Sequence, residues 1–317
     1  MDYQPDGLNI WDPWLVEHQG LVHLFYQQGL AGNSKRDAQT GNWIGHAVSK
    51  DLLHWDEQPL AIGPDPERPL EDLWPWTGGA VMSGDTCYNF YTMRSSQEQG
   101  WRERIGVATS RDFQHWERYA GNPVIEPDPR WYSGGADYLR QYGRVDCRDL
   151  SVVYDPERQV WWGFFATRIP AEEQAETSVI AVASSKDLLH WEQLPPAFAP
   201  GIHGTVEVPE VFPLDGRWYM TCLTSSVHGN RGGFTDPNVL RGTMYAVADH
   251  PAGPYREITG DNVLINGHSC RSLVYKGERY IFSARDGSLS PPVVSEAGAK
   301  ISLTCSFPSA ADRGVCG

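Results

Sequence analysis

The segment "IGHAVSKDLLHWDEQ" at residues 44–58 occurs three times in the chain with small changes. It returns as "IGVATSRDFQHWERY" at 105–119 and as "IAVASSKDLLHWEQL" at 180–194, and a weaker copy, "MYAVADHPAGPYREI", covers 244–258. In each strong copy an alternating apolar run ends at Ser-Lys-Asp or Ser-Arg-Asp, and a Trp follows four residues after the Asp. Tyr255 takes the place of that Trp in the weaker copy. The repeat predicts a β-strand, a polar turn and an aromatic plug that recur in successive structural units.

A β-hairpin is predicted in front of each copy of the repeat and once more after the last copy. The five candidate hairpins cover residues 13–28, 79–95, 150–168, 210–226 and 272–287. Their turn centres, near residues 20, 85, 157, 216 and 277, lie about 60 to 70 residues apart, which fits units of four strands. The chain is therefore predicted to be all-β and to form a five-bladed β-propeller. A β-sandwich, the main alternative, does not explain the repeated third strand.

The predicted propeller occupies residues 1–307 as one catalytic domain. Its fifth blade closes with "AKISLTCSF" at 299–307, and residues 308–317 are expected to form an irregular tail. No second domain is predicted.

The composition limits the kinds of partner. A formal net charge of -14 and a pI near 5.1 argue against nucleic acid and against an anionic membrane surface, and favour a small neutral or cationic substrate. The first residues, "MDYQPDGLNIWDPW", have neither a basic nor an apolar leader segment, so a cytoplasmic location is expected. Six cysteines without a CxxC pair indicate buried free thiols, and no metal site or cofactor is predicted. The oligomeric state is left open.

Acidic residues stand at the entry of three of the predicted innermost strands. In a propeller these entries meet at one rim of the central channel, so Asp12, Asp149 and the pair Glu207 and Glu210 are expected to lie close together. The other two entries place aromatic, hydroxyl and basic side chains at the same rim. Two carboxylates and a ring of aromatic residues are typical of a pocket that cleaves glycosidic bonds, where one acid donates a proton and another faces the anomeric carbon.

Five motifs resemble those of glycoside hydrolase family 32, the invertase and fructanase family. "WDPWLVEHQGLVHLFYQ" (11–27) is similar to its NDPNGL motif and the following stretch that ends in FYQ, and "NWIGHAVSKDLLHWDEQPLAIGP" (42–64) is similar to its WGHA segment. "WTGGAV" (76–81) resembles FSGSAV, "CRDLSVVYD" (147–155) resembles RDPKV, and "VEVPEVFPLDGRWYM" (206–220) resembles ECPDLFPLDGKW. The resemblance spans residues 9–225 in order.

The resemblance implies a role for each acid: Asp12 as the nucleophile, Asp149 as the transition-state stabiliser and Glu207 as the acid/base. The residues expected to bind substrate, from the resemblance or from their place at the rim, are Trp11, Gln28 (or its neighbour Gln27), Trp43, Trp76, Thr77, Arg148, Glu210 and His268. The implied function is a glycoside hydrolase that cleaves terminal β-fructofuranosyl linkages by a retaining double displacement.

The chain departs from the family pattern at several positions. Trp11 and Trp14 replace two asparagines, Leu150 replaces the proline of RDP, Val208 replaces the cysteine of ECP, and the C-terminal β-sandwich of the family is not found in the sequence. Three alternatives therefore stay open: an inverting arabinofuranosidase or xylosidase like those of family 43, a fructosyltransferase, and a sugar-binding propeller without turnover. A separation of the two carboxyl groups of roughly 5 to 5.5 Å is typical of retaining enzymes, and roughly 6.5 to 9.5 Å of inverting ones.

Overall fold

The fold consists of five antiparallel β-sheets that follow one another along the chain. The computed structural model describes residues 2–30, 43–170, 177–201, 205–224, 242–257, 263–265, 268–285, 288–290 and 292–294. In every sheet the first strand is one edge, and the second and third strands follow it as successive hairpin partners. We number the sheets as blades 1 to 5 in chain order.

The strands of each blade are as follows. Blade 1 contains β1 (Leu8–His18), β2 (Leu21–Leu30), β3 (Trp43–Ser49) and β4 (Asp56–Ile62). Blade 2 contains β5 (Trp76–Ser83), β6 (Thr86–Met93), β7 (Arg104–Ser110) and β8 (Glu117–Arg118). Blade 3 contains β9 (Arg148–Asp155), β10 (Val160–Ile169), β11 (Thr177–Ser185) and β12 (Glu192–Phe198). Blade 4 contains β13 (Val206–Leu214), β14 (Arg217–Thr224), β15 (Gly242–Ala248), β16 (Arg256–Glu257) and β17 (Val263–Ile265). Blade 5 contains β18 (His268–Tyr275), β19 (Glu278–Arg285), β20 (Ser288–Leu289) and β21 (Val293–Val294).

The first strands of the blades form the inner wall of a closed ring. β1 packs against β5, β5 against β9, β9 against β13, β13 against β18, and β18 returns to β1. All five predicted hairpins are present, as the pairs β1–β2, β5–β6, β9–β10, β13–β14 and β18–β19. The prediction of an all-β, five-bladed propeller is therefore confirmed.

The aromatic plugs of the repeat join neighbouring blades. Each plug meets, edge to face, a phenylalanine on the second strand of the preceding blade, with ring centroids 5.5 to 6.4 Å apart and interplanar angles of 74° to 90°. The pairs are Trp55–Phe282, Trp116–Phe25, Trp191–Phe90 and Tyr255–Phe164. Edge-to-face geometry is favoured because the positive edge of one ring meets the negative face of the other. The repeat therefore encodes the contacts between blades, including the contact that closes the ring between blades 1 and 5.

The polar turns of the repeat are stabilised by side-chain caps. In the first turn, Oδ1 of Asp51 accepts from the backbone nitrogens of Leu53 and His54 at 2.9 and 2.8 Å, and Nδ1 of His54 lies 2.7 Å from Oδ2. The three equivalent turns are Ser49–Asp51–His54, Ser110–Asp112–His115 and Ser185–Asp187–His190. They connect third to fourth strands, at the end of the blades opposite the starts of the innermost strands. This position agrees with the prediction that they are structural turns.

The start of the chain pairs with the last blade. The backbone nitrogens of Tyr3 and Leu289 each donate to the other residue's carbonyl oxygen, at 2.9 and 2.8 Å, so Tyr3 lies alongside β20. The predicted closing strand at 299–307 and the predicted tail lie outside the described residues. Within the described part of the chain, the first residues therefore help to close the ring.

Two further features complete the fold. The four described cysteines, Cys87, Cys147, Cys222 and Cys270, are buried thiols outside any disulfide, as predicted, and the other two lie outside the described residues. A short helix, α1 (Gly135–Tyr142), and a 3-10 turn (Ser96–Glu98) lie in connections and were not predicted from the sequence. In the part of the chain that the structure describes, no helix has the length and apolar character needed to cross a bilayer.

Candidate active site

Every innermost strand has a β-bulge near its start. Each bulge begins eight positions before the hairpin turn centre. The register of the strand shifts at Asp12, Thr77, Asp149–Leu150, Val208–Pro209 and Ser269–Cys270. Four of these residues have a positive φ, namely 34° at Asp12, 62° at Asp149, 52° at Val208 and 55° at Ser269. The backbone of a residue other than glycine is strained at a positive φ, and such strain often occurs at functional sites. Bulges also redirect side chains, so this level of the channel is the candidate site.

Asp12 is held by the bulges of both neighbouring blades. Thr77 in blade 2 donates from its hydroxyl to Oδ2 of Asp12 at 2.6 Å, and Ser269 in blade 5 donates to Oδ1. Asp12 is almost completely buried. Because each oxygen accepts from a different blade, the carboxylate is fixed in one orientation. Thr77 was predicted as a site residue, but Ser269 was missed, although it occupies the same position before its hairpin turn as Asp12 and Thr77 do.

Asp149 connects blade 3 to blades 2 and 4. Oδ2 of Asp149 accepts from the backbone nitrogen of Val208, the bulge residue of blade 4, at 3.1 Å. The backbone nitrogen of Asp149 donates to Oγ1 of Thr92 at 3.2 Å, and Thr92 donates to the carbonyl oxygen of Thr77 at 2.8 Å. The network that begins at Asp12 therefore extends through Thr77 and Thr92 to Asp149.

Glu207 lies one residue before the bulge of blade 4, whereas Asp12 and Asp149 are bulge residues. The sequence predicted three matched positions, and the structure differs by this one-residue shift. Oε2 of Glu207 accepts from Nη2 of Arg148 at 3.1 Å and from Nε at 3.3 Å. The side chain of Glu207 is 16% exposed, compared with 4% for Asp149. Glu207 is therefore more accessible to a molecule that approaches the rim.

Arg148 is surrounded by carboxylates. Besides Glu207, its Nη1 lies 3.0 Å from Oε2 of Glu103 and 3.5 Å from Oδ1 of Asp146, and its Nε lies 3.7 Å from Oδ2 of Asp149. Burial alone would lower the pKa of Arg148, but these carboxylates raise it well above its ordinary value. Arg148 is therefore a permanent cation that holds negative charges together at the rim.

Five of the predicted site residues share one position, immediately before a bulge. They are Trp11, Trp76, Arg148, Glu207 and His268. The side chain of His268 lies outside the described part of the structure, although its backbone pairs with Ala284 in β18 and β19. Trp76 packs against Arg94, whose guanidinium carbon is 3.7 Å from the ring centroid. The structure therefore brings these positions to one level of the ring.

The two other predicted residues of blade 1 lie on its second and third strands. Gln28 is buried and pairs with Ile10 on one side and with Trp43 on the other. Trp43 is 39% exposed, and its ring packs directly over Gly63, where a Cβ would lie 2.8 Å from it. Their roles in substrate binding stay predictions.

Glu210 lies in a different environment from Glu207. It is three residues further along β13 and lines a cavity of about 250 Å³ in the channel, together with Arg271 and Arg279. Its Oε2 accepts from the backbone nitrogen of Ser272 at 2.7 Å. Burial raises the pKa of Glu210, although the charges of Arg271 and Arg279 oppose this change. Glu210 thus connects blades 4 and 5 below the level of the bulges, and its predicted contact with substrate stays a prediction.

No cluster of three or more His, Cys, Asp or Glu side chains suited to a metal ion occurs among the described residues. The chemistry of the site can be built from the carboxylates, hydroxyls and Arg148 described above.

Comparison with known proteins gives a consistent result. Residues 4–253 match the family model described as Glycosyl hydrolases family 32 N-terminal domain. A levanase of Bacillus subtilis is 30% identical over 225 residues, which cover 65% of this chain and 28% of the levanase. An invertase of Schizosaccharomyces pombe is 27% identical over 194 residues, which cover 57% of this chain and 29% of the invertase. The chain thus spans less than a third of the length of these two relatives.

A solved structure has the same fold. The GH32 beta-fructofuranosidase BmSUC1 of Bombyx mori superimposes with a TM-score of 0.70 at 19% identity, over 93% of this chain and 62% of that one. At this identity the likeness concerns the fold alone.

Proposed function

Since the chain belongs to glycosyl hydrolases family 32, we propose that it cleaves terminal β-fructofuranosyl linkages of sucrose or fructans by a retaining double displacement. The observation that supports this most is the convergence of Asp12, Asp149 and Glu207 on three bulged strands at one end of the channel. The relatives named levanase and invertase support fructosides as the substrate class.

In the first step, a carboxylate oxygen of Asp12 attacks the anomeric carbon, and the bond from this carbon to the leaving oxygen breaks. Glu207 gives its proton to the leaving oxygen, so the leaving group departs as a neutral alcohol. In the second step, Glu207 takes a proton from water, the water oxygen attacks the anomeric carbon, and Asp12 is released. The two inversions give net retention.

The surroundings of each acid fit its proposed role. The hydrogen bonds from Thr77 and Ser269 orient Asp12 before the substrate arrives, which reduces the entropy lost in reaching the transition state. Asp149, held by the backbone of Val208, offers negative charge where positive charge develops on the sugar ring. The greater exposure of Glu207 allows contact with the leaving oxygen.

An NMR time course tests the proposal. Wild-type protein, Glu207→Gln and the exposed control Glu117→Gln are each incubated with sucrose, inulin-type and levan-type oligosaccharides, an aryl arabinofuranoside and an aryl xyloside. We expect β-fructose as the first product with wild type and with the control, and no turnover with Glu207→Gln. Inverted product from the arabinoside or xyloside alone would contradict the proposal, as would binding of all sugars without turnover.

Fructosyl transfer uses the same residues, so the same spectra are inspected for products longer than the substrate. Longer products in excess of free fructose would make the protein a transferase. The cytoplasmic location stays a prediction from the sequence.

A further inference from the structure

A buried carboxylate that the sequence analysis did not identify, Glu103, lies behind the candidate acid/base. Glu103 is the residue before β7 in blade 2, and its side chain is 8% exposed. Its backbone nitrogen donates to the carbonyl oxygen of Val145 at 3.0 Å, and the nitrogen of Val145 donates to the carbonyl oxygen of Trp101 at 2.8 Å. This loop of blade 2 is therefore fixed to the segment that leads into β9, three residues before Arg148.

The carboxylate of Glu103 holds both the backbone and the side chain of that segment. Its Oε2 accepts from the backbone nitrogen of Cys147 at 2.9 Å and from Nη1 of Arg148 at 3.0 Å. A buried carboxylate is costly unless it is paired and hydrogen-bonded. Burial raises the pKa of Glu103, while the charge of Arg148 acts in the opposite direction. The two hydrogen bonds and the charge of Arg148 therefore offset the cost of burying this carboxylate.

The contact with Glu103 decides which edge of the guanidinium faces the site. Nη1 of Arg148 is occupied by Glu103, so the opposite edge, formed by Nε and Nη2, is directed at Oε2 of Glu207. Among the described residues, hydrogen bonds to Glu207 are made at Oε2, and Oε1 receives none.

We propose that Glu103 is a positioning residue: through Arg148 it orients the carboxyl group of Glu207 and balances the positive charge beside it. This inference rests on the proposed function, because it assigns Glu103 a part in the proton transfer by Glu207. Glu103 does not touch the reacting atoms itself.

The charges around Arg148 give the direction of the expected pH effect. Four carboxylates face its guanidinium, those of Glu103, Asp146, Asp149 and Glu207, while the cations Arg168 and Arg144 face Asp146. Replacing Glu103 with Gln removes one negative charge from this group. The positive charge of Arg148 beside the candidate acid/base is then less well balanced. The alkaline limb of the pH profile of kcat/KM should therefore move to lower pH.

The test uses Glu103→Gln, Glu103→Asp and the control Glu98→Gln. Glu98 lies in the same loop, but its carboxylate binds Arg102 and Arg104 instead of Arg148. For each protein we measure kcat, KM and the pH profile with sucrose or a levan-type oligosaccharide, together with the melting temperature. Glu103→Gln should lower kcat by about tenfold with little change in KM, and should shift the alkaline limb down by about half a pH unit or more.

Glu103→Asp keeps the charge but cannot reach both Cys147 and Arg148, so it should lower kcat while the alkaline limb stays in place. This variant also provides the test if Glu103→Gln does not fold. The control should keep the wild-type profile. Wild-type kcat and an unshifted limb in both Glu103 variants would overturn the inference while the proposed function stands. No turnover of any fructoside by the wild type would overturn both.

Discussion

The hydroxyl of Thr77 donates to Oδ2 of Asp12 at 2.6 Å across the boundary between blades 1 and 2. Ser269 makes the matching contact to Oδ1 from blade 5. The candidate nucleophile therefore belongs to blade 1 by sequence, but its orientation is set by two other blades. This arrangement links the orientation of the candidate nucleophile to the closure of the ring, because a shift of either neighbouring blade would release one oxygen of Asp12.

The contact between Thr77 and Asp12 can be tested with a nearly isosteric variant. Thr77→Val removes the hydroxyl and keeps the volume, so we expect kcat to fall by about 10-fold to 100-fold, which corresponds to roughly 1.4 to 2.7 kcal/mol. Thr77→Ser keeps the donor and should stay within a few-fold of wild type. Steady-state kinetics on sucrose and a levan-type oligosaccharide measures both. Equal losses in the two variants would show that the methyl group matters and the hydroxyl does not.

Removing one of the aromatic plugs between blades should lower the stability of the fold strongly. Trp116 meets Phe25 of the preceding blade edge-on at 5.5 Å, so Trp116→Ala leaves a cavity between blades 1 and 2. We expect the free energy of unfolding to fall by about 3 to 5 kcal/mol. Trp131→Ala is the matched control, because Trp131 is 37% exposed, and it should cost less than about 1 kcal/mol. Urea unfolding followed by circular dichroism measures both, and similar losses would contradict the role of the plug.

A buried histidine pair predicts that stability falls in mild acid. Nδ1 of His23 and Nε2 of His46 lie 3.0 Å apart between aromatic rings. Burial lowers the pKa of His23 to about 4 and the pKa of His46 to about 3, from 6.5 in an exposed histidine. Between pH 6.5 and these lower values, the two histidines therefore bind protons in the unfolded chain but not in the folded chain. The stability is fully present above pH 6.5 and decreases as the pH falls towards 4, by up to about 1.4 kcal/mol per pH unit for each histidine.

Unfolding free energies measured between pH 7.5 and pH 4.5 check this slope. The double variant His23→Gln/His46→Gln should start less stable at neutral pH but show a flatter dependence on pH. His115→Gln is the control, since the side chain of His115 is 90% exposed, and it should keep the wild-type slope. An unchanged slope in the double variant would mean that other groups cause the loss.

Glu210 is expected to contribute to stability more than to substrate binding. Its Oε2 accepts from the backbone nitrogen of Ser272 in blade 5, so Glu210→Ala leaves a buried donor without a partner and should cost about 1 to 3 kcal/mol. Glu210→Gln keeps an acceptor and should cost less. In both variants we expect KM to stay within about twofold of wild type, because Glu210 lines the channel below the bulges. A large rise in KM with an unchanged melting temperature would favour the substrate contact predicted from the sequence.

The sequence predicted the repeated strand, the five hairpins and the three acids because these features are local. A strand followed by a polar turn and a Trp predicts the same structural unit wherever it occurs in the chain, and each hairpin turn is marked by its own residues. Asp12, Asp149 and Glu207 could be chosen as candidates for the same reason, since each lies in a short motif that precedes a hairpin. Ser269 could also have been found from its distance to the turn centre at 277, but a single serine carries no chemical signal of its own.

The tertiary structure decided which of these residues meet. Glu103 is 45 positions from Arg148 in the chain, and Ser269 is 257 positions from Asp12, so neither contact leaves a local pattern. The bulges determined which side chains face the candidate site. Side chains alternate along a strand, so an extra residue changes the direction in which each following side chain points. For this reason Glu207 and Glu210, which the sequence placed together at one mouth, have different partners in the structure. Local patterns in the sequence therefore determined the five blades, whereas the closure of the ring determined which side chains meet at the candidate site.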